Sequence, residues 1–71
     1  MPELEEILNS SLDRVVTVTL RNGKEYKGTL KSFDEYTNIV IADAEERIGE
    51  ETKKYRLLII KGGNINLITP Q

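Results

Sequence analysis

Apolar residues recur along this chain with two different periods, and the switch between them comes at Asp13. Before it, Leu4, Ile7, Leu8 and Leu12 fall three or four apart, the spacing of one helical face. Pro2 suits a first helical position, and Glu3, Glu5 and Glu6 complement the positive end of a helix dipole. Together they predict a short amphipathic helix over about 3–12. A helix this short is marginal in water, so it needs an apolar surface to dock on. After Asp13 the period falls to two. Val16, Val18 and Leu20 share one face of a β-branched stretch, which predicts a strand over about 15–21. Asn22-Gly23 follows, the pair favoured in a type I′ hairpin turn, where both central residues take positive φ.

The return strand, about 25–34, places Tyr26, Gly28 and Leu30 on one face. A glycine inside a strand permits a sharp bend or the close approach of another backbone. From Leu30 to Phe33 the apolar spacing slips from two to three, which predicts a bulge or a further bend. Asn38-Ile39-Val40-Ile41-Ala42-Asp43 is apolar on both faces and predicts a central, buried strand over 38–43. Residues 44–53 are charged, contain Gly49, and read as an exposed loop. A fourth strand spans about 54–60, Lys61-Gly62-Gly63 forms a turn, and a fifth strand spans about 64–68 before Pro70. One helix and five strands predict an all-β fold over 1–71, a small, strongly bent, five-stranded antiparallel barrel. Periodicity alone leaves SH3-like and OB-like topologies equally open.

The run Leu57-Leu58-Ile59-Ile60 carries no lysine, proline or other device that protects a sheet edge. Two readings follow. The run is either a central strand buried on both faces, or an edge that pairs with another chain. An edge-to-edge contact of that kind is heterologous, so it closes into a ring or runs on as a fibre. Length favours a partner. A chain of 71 residues buries only roughly 60% of its unfolded surface and usually needs a staple. There is no cysteine and no histidine, which removes disulfides and the commonest zinc ligand. The same absence leaves no imidazole base and no thiolate nucleophile, so enzymatic chemistry is not expected, nor any metal or cofactor.

Net charge is −2 and the pI about 5.1. A protein holding nucleic acid mainly by neutralising phosphates would be basic. Any nucleic-acid binding here has to come from a local site that stacks on and hydrogen-bonds to bases. The acidic start lacks the basic and apolar regions of a signal peptide, and no apolar run approaches the ~20 residues of a membrane span. A soluble, cytoplasmic protein without membrane partners is expected.

Two segments then stand out together. Gly28-Thr29-Leu30-Lys31-Ser32-Phe33-Asp34-Glu35-Tyr36-Thr37-Asn38-Ile39-Val40-Ile41 resembles the first signature of the Sm and Sm-like (LSm) proteins. That signature has a glycine, a leucine two residues on, an aromatic–Asp pair, and an Asn four residues after the Asp. Ile60-Lys61-Gly62-Gly63-Asn64-Ile65 resembles the second signature. Order, spacing and the preceding helix agree over essentially the whole chain, and the likeness is strongest to archaeal members. The resemblance implies the Sm fold, an SH3-like barrel, closing into a ring through pairing of strands four and five. It implies a heptamer, with a hexamer as the alternative, and single-stranded uridine-rich RNA bound at the pore. Asp34, Tyr36, Asn38, Lys61 and Gly62 occupy the matching RNA-binding positions.

The chemistry of those residues suits the role. Tyr36 offers a face for base stacking, worth roughly 1–3 kcal/mol. Asn38 presents a donor beside an acceptor, the complement of the O4 and N3–H edge of uracil. By the same resemblance Asp34 would not touch the base but orient Asn38, and Gly62 is expected to let backbone approach the base. Lys61 stands where the family usually has Arg, and a point charge clamps a base more loosely than a planar guanidinium. Gly63 stands where many relatives carry Asp. Two functions follow: a non-catalytic RNA-binding ring acting in RNA processing or as an RNA chaperone, and a ring-shaped protein-assembly scaffold with incidental RNA binding.

Overall fold

A computed structural model of the protein describes residues 4–70. Its elements are a helix α1 (Leu4–Ser10), strands β1 (Val15–Leu20), β2 (Glu25–Phe33), β3 (Ile39–Ile48) and β4 (Glu51–Ile60), a 3₁₀ turn Gly62–Asn64, and β5 (Ile65–Pro70). Pro2 and Glu3, read as the helix start, lie outside the described residues. α1 is shorter than its periodic pattern. Ser10 and Ser11 both turn their Oγ back onto the Ile7 carbonyl, and Asp13 at φ 63 breaks the helical path. Leu8 is buried and Leu12 half-buried, so the helix rests on the sheet through its last turn.

The strands form one antiparallel sheet in the order β4-β3-β2-β1-β5. The sheet is strongly bent but not closed, because its two ends are not paired to each other. Inward positions of alternating strands make the core, with Val16, Val18, Leu30, Ile39 and Ile41 wholly buried. Each such side chain contributes about 1.5–3 kcal/mol on burial. Curvature comes from two register shifts between β2 and β3. At the first, Gly28 alone faces Asp43 and Ala44 between the Lys27↔Glu45 and Thr29↔Ala42 pairs. Asp43 takes φ 50 there, and a Cβ on Gly28 would stand 3.0 Å from the Ala42 carbonyl and 3.1 Å from Ala44 Cα. The second shift, between Leu30 and Ser32, is the predicted slip in apolar spacing.

Three expectations need correction. Residues 44–53 are not a loop but the far halves of β3 and β4, joined by a two-residue turn at Gly49-Glu50. Gly49 at φ 60 occupies the first central position, as a type II′ turn demands. Of the charges that disguised this ribbon, Glu45 pairs across it with Lys54 at 4.0 Å, and Glu46 stands opposite Lys53 in register. Within it Glu46 points inward, only 6 % exposed, and accepts hydrogen bonds from the hydroxyls of Tyr26 and, at 3.5 Å, Tyr55. The Asn22-Gly23 turn is not type I′, since only Gly23 has positive φ. Asn22 instead uses its Oδ1 to accept the Lys24 N–H at 3.0 Å, within a four-residue connection 21–24. Finally, β3 is buried on one face rather than both, with Val40 half-buried opposite Ile39 and Ile41.

The choice left open for Leu57–Ile60 is decided by strand order. β4 and β5 are the two edges. Leu57 is 60 % exposed and Ile59 67 % on β4, and Leu67 is 56 % exposed on β5. The edges combine unpaired backbone with large apolar side chains, the combination that invites another strand.

Candidate functional site

Phe33 ends β2 and Ile39 begins β3, and the five residues between them fold around one carboxylate. Asp34 Oδ1 accepts the backbone N–H groups of Tyr36, at 2.9 Å, and Asn38, at 3.0 Å. Asp34 Oδ2 accepts the side-chain amide of Asn38 through Nδ2 at 3.0 Å. The Asn38 amide is the first cause holding the Asp34 carboxyl below its ordinary value of 3.8, with the two backbone donors adding to it. The backbone closes the loop as well, the Asp34 N–H donating to the Asn38 carbonyl and the Thr37 N–H to the Asp34 carbonyl.

The other end of Asn38 reaches the second turn. Its Oδ1 accepts the Gly62 N–H at 2.8 Å. An ionised carboxylate only accepts and a backbone N–H only donates, so the two partners fix which way the amide faces. Gly62 is also where the two turns touch. A Cβ there would fall 2.1 Å from the Tyr36 carbonyl oxygen and 2.9 Å from the Thr37 carbonyl carbon. The close approach that demands this glycine is therefore to the neighbouring turn. Thr37, at that contact and at the end of the Asp34 turn, takes φ 63, an uncommon state for a β-branched residue. Nothing in its identity signals that conformation, and residue type alone does not single it out.

Asp34, Asn38 and Lys61 line one cleft of about 310 Å³ together with Phe33, Ile39 and Ile59. Tyr36, 72 % exposed, is not part of that lining. It borders a second groove of about 530 Å³ on the other side of the turns, with Gly62, Gly63, Leu67 and the helix residues Ile7 and Leu8. Of the five residues singled out, four are thus brought together, and Tyr36 joins them through its backbone N–H. No cluster of three or more His, Cys, Asp or Glu side chains that could hold a metal occurs among the described residues, and no described helix is long and apolar enough to cross a membrane.

The LSM domain model matches residues 6–70, nearly the full length. The chain belongs to the LSM family. Among its relatives is an snRNP Sm-like protein of Pyrococcus horikoshii, 41% identical over 66 residues that span 92% of this chain and 88% of the relative. One of Methanosarcina acetivorans is 39% identical over 66 residues, 92% of either chain. The fold of this LSM chain matches that of the P. aerophilum SmAP1 heptamer at a TM-score of 0.93, with 34% identity over 100% of this chain and 96% of the other. It matches the Pyrococcus abyssii Sm protein in complex with a uridine heptamer equally well, at 0.93, with 35% identity over 99% and 100%. The five-stranded, strongly bent Sm fold of the LSM family is thereby established for this chain.

Proposed function

We propose that this LSM chain is a non-catalytic subunit of a homo-oligomeric ring, heptameric by preference, that binds single-stranded uridine-rich RNA at its pore. The observation that carries this reading is the chain of hydrogen bonds Asp34–Asn38–Gly62. It occupies one donor and one acceptor of the Asn38 amide and leaves one of each, side by side, for a ligand. Uracil complements that pair with O4 and N3–H. Cytosine and adenine present the reverse order, and a free amide would accommodate them by turning over. This amide is held from both ends and cannot. Guanine presents the same order as uracil through O6 and N1–H, so its rejection falls to the size of the cleft.

Lys61 supplies the cation beside the base, and Tyr36 a stacking face once its ring swings over the cleft. Ring assembly is supported by the unpaired, apolar edges β4 and β5, and by the heptameric P. aerophilum neighbour. Several weak sites around one pore act on the same strand, and such avidity exceeds single-site affinity by a factor on the order of a hundred or more. A role in RNA processing or as an RNA chaperone fits binding without chemistry, in the cytoplasm. The test is a titration with labelled oligo-uridylate, oligo-cytidylate and oligo-adenylate, wild type beside Asn38→Ala, with light scattering to fix the mass. The expected result is a uridine preference of about 1–3 kcal/mol that Asn38→Ala removes at unchanged mass. A stable ring without base preference would reject the RNA site and favour a protein scaffold.

A further inference from the structure

We infer that Arg21 and Lys24, on the turn between β1 and β2, form a phosphate-binding site for the same RNA strand whose base sits at Asn38; the inference rests on the uridine-binding reading above. The turn stands next to the connection that holds Asn38. Arg21 donates its N–H to the Asn64 carbonyl at 2.9 Å, and Asn64 ends the 3₁₀ turn that Gly62 begins. Such a turn rises ~2.0 Å per residue, so roughly 4 Å of turn axis separates the Gly62 N–H that holds Asn38 from the residue that holds Arg21. Three connections therefore run side by side: 34–38, 61–64 and 21–24.

The mounting is firm. The Gly23 N–H donates to the Leu20 carbonyl at 3.0 Å, the Leu20 N–H to the Lys24 carbonyl at 2.8 Å, and Asn22 holds the Lys24 N–H. Both side chains are exposed. Two other cations of the sheet sit in ion pairs. Lys31 lies 3.1 Å from Asp13 and Lys54 4.0 Å from Glu45. Lys27 stands opposite Glu45, while Glu46, opposite Lys53, turns its carboxylate inward to Tyr26 and Tyr55. Arg21 and Lys24 have no ion pair among the described residues, and the adjacent acid, Glu25, stands opposite Arg47. On the opposite turn the exposed Glu35 repels phosphate, which leaves the 21–24 side as the path for the backbone. A guanidinium forks onto phosphate oxygens and an ammonium meets them as a point charge, neither reading the base. In a protein of net charge −2, such local cations give a polyanion its purchase while Asn38 selects the base.

The experiment measures binding of labelled oligo-uridylate, oligo-cytidylate and oligo-adenylate across a salt series for wild type, Arg21→Ala/Lys24→Ala and Arg21→Lys, with assembly mass followed by light scattering. The double substitution is expected to weaken all three ligands by one common factor and leave their ratios unchanged. It should also reduce the slope of log K against log salt by about 0.7 for each phosphate no longer neutralised. Arg21→Lys should keep the wild-type slope. Should the alanine pair disturb assembly, Arg21→Gln/Lys24→Gln gives the same readout with the side-chain bulk retained. An unchanged slope and affinity, with uridine preference intact, overturns the phosphate site alone, as does a weakening confined to oligo-uridylate. A wild-type protein that shows no base preference overturns both readings together.

Discussion

Asp34 and Glu46 each gather hydrogen-bond donors around one carboxylate, at opposite extremes of exposure. Asp34 lies open to water on a turn and accepts two backbone N–H groups and the Asn38 amide. Glu46 is buried inside the β3–β4 ribbon and accepts the hydroxyls of Tyr26 and Tyr55. The buried arrangement is closed, because no buried side-chain polar atom lacks a partner among the described residues. The turn arrangement is incomplete, since Asn38 keeps a donor and an acceptor in hand. A carboxylate closed in on itself holds architecture together, while one that leaves its client half-satisfied prepares a place for a ligand.

The contrast can be broken at several points, with effects that fall in order. Gly62→Ala should do most, because its new methyl would overlap the Tyr36 carbonyl backbone. We expect about 3 kcal/mol of destabilisation in urea unfolding, together with loss of uridine preference. Tyr26→Phe removes a donor from the buried carboxylate and should cost about 1.5–3 kcal/mol while leaving base preference untouched. If it altered the preference, the two carboxylates would not be the independent devices described.

Acidity separates them next. Asp34 is held below 3.8, so its contribution is complete above that value and is lost as pH falls through the lowered one. Uridine preference should disappear on that acid limb. Tyr26 is pushed up to about 12, by burial first and then by its hydrogen bond to Glu46. Its contribution is present below 10.0 and is lost as pH rises towards about 12. The chain has three tyrosines, so tyrosinate absorbance of Tyr36→Phe/Tyr55→Phe would follow Tyr26 alone. Smallest of all should be Lys31→Ala. Its 3.1 Å ion pair with Asp13 is half or more exposed on both sides, and pairs of that kind are worth about 0–1 kcal/mol in a thermal melt.

Much of the turn region is legible in the sequence, and little of the ribbon is. Asp34 and Asn38 are spaced for a turn, and it is the resemblance to the LSM signature that assigns Asp34 to orient Asn38, since residue chemistry alone allows an ordinary polar turn. The edge character of Leu57–Ile60 is visible as a missing defence, though only strand order decides it. The ribbon reads as a loop because Glu46 looks like any surface acid until Tyr26 and Tyr55 are placed beside it, and those hydrogen bonds span 20 and 9 residues. Gly62 stands out in the sequence for the wrong neighbour. Its constraint comes from a backbone 25 positions or more away in sequence, which no local pattern encodes. Thr37 offers no signal, since a β-branched residue is an uncommon choice for positive φ and its type does not announce one.

The bend at Gly28 reaches further than the two strands it joins. β4 and β5 are the two ends of the sheet, so the bulge opposite Asp43 and Ala44, with the second shift after Leu30, turns one edge away from the other. What one missing methyl permits at Gly28 is thus felt at both free edges of the sheet, two strands away on either side.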